Sequence, residues 1–427
     1  MANAENRGQA VLPPTQSTSS SSVLLSYISK SSRTLLRSSA GLLRHPFIVP
    51  GAVYSHELWD WDSYWTTRGL LELARRLGDE TMRGQMIEYG RGSLLNFLEH
   101  QGPSGAIPIM MRADNPDVFG CLQEGGPEVN QAKPILAQFA LRLADESGDV
   151  DWLRDHFDAL LRFLGHWSKK YRSQCGLLVW GSDVGIGVDN DPAAYGRPDF
   201  SSASLLLNCL FAEDLRAAAT LAERLGNKDD AGRLQQEACH QTRMIQTICW
   251  DSRDQFFYSQ DVLCSDHRAE KIAWAAPGMP MEWTSLPLRI QGFTGFLPLW
   301  CGAASAAQAK VIQAHLANSN TFNAPHGVRS LSQSEPMYSL AKSCNPSNWL
   351  GPVWIMANYF VWKGLLRYGF EPEAAELARK TVALLENDIR ESGSIHEYYH
   401  PETGEPLMNP GFLSWNLLAL EMESTIR

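Results

Sequence analysis

The sequence predicts an all-α protein: a closed (α/α)6 barrel, or toroid, of antiparallel helix pairs with long loops gathered on one face. Three observations predict it. Apolar residues recur at i, i+3 and i+4 along most of the chain, whereas alternating strand patterns are few and short. Tight connections such as Gly148-Asp149 and Gly226-Asn227 fold consecutive helices back on each other. No low-complexity linker divides the chain internally, and no period of about 34–47 residues marks an open solenoid, so about a dozen helices close into six inner and six outer ones.

In chain order, residues 1–22 are rich in Ser, Pro, Gln and Ala and read as a disordered tail ahead of a single barrel domain over 23–427. Leu24, Ile28, Leu35 and Leu36 lie near helical spacing, so a helix starts near Ser22 with a Ser as N-cap. Amphipathic segments follow near 63–78, 82–100, 133–147, 150–170, 202–226, 229–249, 303–317, 351–368, 372–389 and 412–424. Four connections, 101–132, 174–200, 319–347 and 390–411, are long and rich in Gly, Pro, Asp and aromatics. Long loops in compact domains usually carry function, and a toroid collects them at one end.

At 427 residues, 44% apolar and 20% charged, the chain builds a packed core. A net charge of -10 with scattered Lys and Arg argues against a nucleic-acid or membrane partner and leaves a homo-oligomer open. With no apolar signal core and no run of eighteen apolar residues, neither secretion nor membrane spanning is expected. The Ser-rich start, with Arg33, Arg37 and Arg44 and only Glu5 as an acid, loosely resembles an organelle transit peptide. Eight dispersed cysteines without a CxxC pair fit reduced thiols in the cytoplasm. His396 and His400 stand four apart but have no further ligand cluster, so neither metal nor cofactor is expected.

The fourteen Trp exceed ordinary usage, and the stretch Leu58-Trp59-Asp60-Trp61-Asp62-Ser63-Tyr64-Trp65 interleaves carboxylates with indoles. Carboxylates accept sugar hydroxyl hydrogen bonds, and flat rings cover the apolar C–H face of a pyranose. The plain alternative is that the Trps are core and the Asps are the cap and first-turn acids of the helix that follows. The 174–200 loop carries Gly181-Ser182-Asp183-Val184-Gly185-Ile186-Gly187-Val188-Asp189-Asn190-Asp191-Pro192, where glycines let backbone approach a ligand and a turn presents Asp189. The 390–411 loop sets Glu397 between His396 and Tyr398, while Glu402 and Glu405 lie in a solvated Pro/Gly turn. Glycoside hydrolysis uses two carboxyl groups on opposite sides of the scissile bond, and Asp189 with Glu397 would supply them.

Trp61-Asp62-Ser63-Tyr64, Gly187-Val188-Asp189-Asn190, Asn348-Trp349-Leu350-Gly351-Pro352-Val353-Trp354 and the Glu397…Pro401-Glu402-Thr403-Gly404-Glu405-Pro406 tail, in that order, resemble glycoside hydrolase family 63 and its trehalase-like relatives. The resemblance runs from about residue 24 to the end and implies an (α/α)6 barrel that hydrolyses α-glycosides with inversion. It implies Asp189 as general acid and Glu397 as the base activating water, about 6.5–9.5 Å apart. Asp62 would hold hydroxyls of the cleaved sugar. Trp59, Trp61, Trp349 and Trp354 would wall the pocket, with His396, Gln131 and the Gly187 backbone adding polar contacts. Trp180 and Trp415 would exclude water around Asp189 and raise its pKa.

No β-domain like that of the glycan-trimming eukaryotic members is expected ahead of the helices, and the chain looks most similar to compact members acting on mannosylglycerate or glucosylglycerate. The family's usual Arg before Gly-Pro is Leu350 here. A glycerate aglycone carries a carboxylate, for which Arg197 is the first candidate, with Tyr195 adding a hydroxyl. Arg197 could equally pair with Asp199 or Asp191, and Arg112 and Lys133 are the weaker candidates. The 101–132 loop would form a lid. The competing readings are a trehalase-type hydrolase of a neutral disaccharide and a non-catalytic sugar-binding protein.

Overall fold

The computed structural model describes residues 22–263, 283–341 and 347–426. The expected tail, apart from Ser22, lies outside the described residues, as do Cys264 and Cys344. Ser22 is the N-cap of α1 (Val23–Ser31), accepting the Leu25 N–H through its side chain at 3.1 Å. The following helices are α2 (Asp60–Leu77), α3 (Glu80–Glu99), α4 (Leu136–Ser147), α5 (Phe157–Lys170), α6 (Leu205–Leu225) and α7 (Lys228–Ile248). After them come α8 (Leu297–Trp300), α9 (Ala306–Ala317), α10 (Ile355–Arg367), α11 (Glu371–Ser392) and α12 (Ala419–Glu423).

The helices form two layers, and burial shows which is which. In α2 nearly every residue from Asp60 to Ala74 is buried, and α6 and α10 are buried almost all round. Their partners bury one stripe: Leu234, Ala238, Gln241 and Ile245 in α7, and Ala374, Leu377, Ala378, Thr381, Val382 and Leu385 in α11. Helices surrounded on all sides line the interior, and one-faced helices cover them. Packing follows the sequence as antiparallel pairs, α2 with α3, α6 with α7 and α10 with α11, while α4 packs on α6 and α8 on α10. Gly69 lets the chain end approach α2, since a Cβ there would meet Leu417 Cβ at 2.2 Å.

Differences from the expected elements have local causes. The expected helix over 133–147 starts at Leu136: Pro134 disfavours helical backbone at Lys133, whose N–H instead bonds the Asp60 side chain. The expected 150–170 helix is broken by a turn at 154–156, and 412–424 is a 3-10 turn (Ser414–Leu418) running into short α12. Residues 351–354 stay extended because Val353 pairs with Arg329 and Tyr399. Short antiparallel strands fasten the loops, among them Leu58–Trp59 to Met110–Met111 and Ser202–Ala203 to Gln260–Asp261. Among the described residues, no helix is long and apolar enough to cross a membrane.

Candidate active site

A cavity of about 310 Å³ opens where the starts of α2 and α10 meet the long loops. Each of the four loops singled out in the sequence lines it: Ile109 and Phe119 from the first, Asp183 to Tyr195 from the second, Ser347 from the third and Glu397 from the fourth. Trp61 and Asp62 enter from the first turn of α2, Trp354 from the N-cap of α10, and Trp415 from the Ser414–Leu418 turn.

Three carboxyl groups converge there. Asp62 accepts the Ser414 hydroxyl at 2.7 Å, and burial pushes its pKa up to about 7 despite that bond. Burial also raises the Asp189 carboxyl above the usual range, opposed by the Ser347 hydroxyl and the Lys133 charge. Glu397 accepts from the Asn409 amide, yet burial, with the Asp62 and Asp189 charges adding to it, pushes its pKa up to about 8. Neighbouring buried carboxyls resist full ionisation, so protons persist among them at neutral pH.

The walls are aromatic. Trp349 and Trp354 stack face to face at 3.8 Å, Tyr398 stacks on Trp354 at 4.6 Å, and Trp415 lies 5.9 Å from both Trp354 and Trp61. Such a surface suits the C–H face of a sugar ring. The loop bearing Asp189 reaches the wall through Asn190, whose Oδ1 accepts the Trp349 N–H at 2.7 Å and whose Nδ2 donates to Asn348 Oδ1 at 3.2 Å. Between this loop and α2, Gly187 adopts φ +73°, and an added Cβ would lie 2.7 Å from Trp61 Cζ2 and 2.6 Å from Lys133 Cε.

The cavity therefore joins Trp59, Trp61, Asp62, Gly187, Asp189, Tyr195, Trp349, Trp354, Glu397 and Trp415. Neither Asp60 nor Asp62 caps α2, since Trp59 is the cap residue; Asp60 holds Lys133 and Asp62 faces the cavity.

Four expected contacts fall elsewhere. Arg197 points away and pairs with Asp261 at 2.6 Å, a partner that neither Asp199 nor Asp191 anticipates. Gln131 is buried near the Tyr171 hydroxyl. His396 gives its ring to Asp388 at 2.8 Å, anchoring the loop from behind, while His400 Nδ1 accepts the Glu402 and Thr403 N–H groups at 3.2 Å. Trp180 lines a separate small cavity beside Arg197. Arg112 pairs with Glu57, and Leu350 is absent from the cavity lining.

Sequence reasoning missed Tyr54, Phe119, Ser347 and Phe412, which also line the cavity. Tyr54 faces Glu397, Asp189 and Asp62, and burial together with these charges pushes its phenol well above the usual range. A lone Tyr in a 3-10 turn gives no such signal. Among the described lining residues Lys133 is the one cation.

The sequence pattern of the mannosylglycerate hydrolase MGH1-like glycoside hydrolase domain matches residues 54–415. Mannosylglycerate hydrolase MGH1 of Selaginella moellendorffii is 24% identical over 392 residues, covering 81% of this chain and 76% of its own. Rabbit (Oryctolagus cuniculus) trehalase is 32% identical over 126 residues, 30% of this chain and 18% of its own. Among solved structures, the family 63 mannosylglycerate hydrolase of Thermus thermophilus in complex with glucose superposes with a TM-score of 0.66 at 22% identity, covering 93% of this chain and 99% of that one. Its fold is shared.

Proposed function

Because the chain belongs to the mannosylglycerate hydrolase MGH1-like glycoside hydrolases of family 63, we propose that it cleaves an α-glycoside of glycerate, mannosylglycerate or glucosylglycerate, with inversion. The observation that carries this reading is the meeting of Asp62, Asp189 and Glu397 in one aromatic-walled cavity. Asp189 protonates the leaving oxygen as general acid. Glu397 draws a proton from water on the opposite face of the sugar, and Asp62 accepts a hydroxyl of the cleaved ring. The working form holds one proton on the Asp189–Glu397 pair: burial keeps that proton, and the Asn409 amide favours the Glu397 anion.

The same proposal takes residues 23–427 as one (α/α)6 catalytic domain. It places the protein in the cytoplasm, where the buried thiols of Cys121, Cys175, Cys209, Cys249 and Cys301 stay reduced. A trehalase-type reading draws on the local identity to trehalase, but a lysine in the cavity suits an acidic leaving group better than a neutral one. Sugar release from α-mannosylglycerate, α-glucosylglycerate and trehalose, assayed in parallel, tests the choice. Turnover of either glycerate compound supports the proposal, and turnover of trehalose alone replaces it.

A further inference from the structure

We propose that Lys133 reads the leaving group, its ammonium receiving a carboxylate carried by the aglycone next to Asp189. The inference rests on the glycosidase reading and names the residue that would select an acidic aglycone within it. Lys133 is 1% exposed and lines the cavity. Its surroundings hold the ammonium in place without using all its donors. One face lies over the Trp61 ring, 4.5 Å from the centroid. Asp60 stands on another side, 3.4 Å from the ammonium through each oxygen, longer than the roughly 2.7–2.9 Å of a tight charge-assisted bond. The short bond of Asp60, 2.7 Å, goes to the Lys133 backbone N–H instead. A lysine serving only to neutralise Asp60 would close that gap. Of its three N–H donors, at least one remains for the cavity.

Position decides which part of a substrate the ammonium meets. Lys133 touches the 183–195 loop, where its side chain fills the space a Gly187 side chain would take, two residues before Asp189. In an inverting site the acid stands beside the leaving oxygen and the base across the ring, and contact with the acid's own loop is what lets Lys133 reach toward the aglycone in this proposal. Its charge acts on Asp189 and Asp62, whereas Asp62 and Asp189 are the charges that act on Glu397. Burial keeps Asp62, Asp189 and Glu397 from all ionising together, so an entering carboxylate meets one cation and acids that carry less than their full charge.

The test compares the glycerate and glycerol α-glycosides of the same sugar, which differ only in a carboxylate against a hydroxymethyl group, on the wild type, Lys133→Gln and Lys133→Arg. The ratio of kcat/KM for acidic over neutral substrate, taken within each protein, does not depend on how much of it is folded. The expected result is a wild-type preference for the acid that falls about 10- to 100-fold in Lys133→Gln and is largely kept in Lys133→Arg. An unchanged ratio in Lys133→Gln, with both substrates slowed alike, overturns the inference and leaves Lys133 as a support for Asp60. A wild type that turns over neither substrate withdraws the glycerate reading itself.

Discussion

Asn190, the neighbour of Asp189, accepts the Trp349 backbone N–H at 2.7 Å and donates to Asn348 at 3.2 Å, fastening the loop that bears one carboxyl to the aromatic wall that would hold the sugar. Trp354 joins the same junction by donating its indole N–H to the Asn348 carbonyl at 2.9 Å. Asn190→Ala leaves the Trp349 N–H unpaired in a buried place, costing about 1–3 kcal/mol locally. Turnover should fall roughly 10- to 100-fold through misplacement of Asp189 while the fold persists, as steady-state kinetics with circular dichroism would show.

Gly187→Ala forces a Cβ against Trp61 and Lys133 and demands a positive φ of a residue that resists it. About 1–3 kcal/mol of destabilisation is expected. Because the displaced groups line the cavity, kcat/KM should fall by more than the loss of folded protein explains. Denaturant melts set beside kcat/KM separate the two effects.

The pH dependence of kcat/KM should be bell-shaped. The alkaline limb lies near 8, where the pair containing Glu397 loses its last proton and no acid remains. The acidic limb appears where both Asp189 and Glu397 carry protons and no base remains. Because burial raises Asp189, that limb lies above an ordinary Asp value. An alkaline limb that persists unchanged in Glu397→Gln, measured on its residual activity, would contradict this origin.

Stability carries the opposite mark of the same burial. The folded pKa of Glu397, about 8, lies above its unfolded value near 4.5, and that of Asp62, about 7, above 3.8. Between these values the folded chain binds more protons than the unfolded one. The contribution of each group is therefore complete below its unfolded pKa and is lost as pH rises through the folded one. Glu397→Gln should raise Tm by roughly 2–5 °C at pH 8.5 and by less at pH 5. Thermal melts of the ligand-free protein at both pH values provide the check.

The helical segments and much of the cavity are legible in the sequence because both rest on local pattern. The segments of α2 and α3 show as amphipathic recurrence, Asp62 stands in a Trp/Asp cluster at the start of α2, and Asp189 and Glu397 stand in short motifs within loops too long to be mere connections. What fails depends on distant pairing. Arg197 stands eight residues after Asp189, but its direction is set by Asp261, 64 residues away in a short strand. Lys133 ranks low beside Arg197 in the sequence, since nothing local shows that Asp60, 73 residues earlier, brings it under Trp61. The 133–147 helix starts late beside the same contact, with Pro134 keeping Lys133 out of the helical region.

The anomer first released from α-mannosylglycerate and α-glucosylglycerate, followed by ¹H NMR for the wild type and for Asp189→Asn and Glu397→Gln, probes the paired carboxyls without intermediary. An inverting pair predicts β-sugar as the first product of the wild type and loss of turnover in both variants. First release of α-sugar, or turnover undiminished in either variant, would contradict an inverting pair made of Asp189 and Glu397.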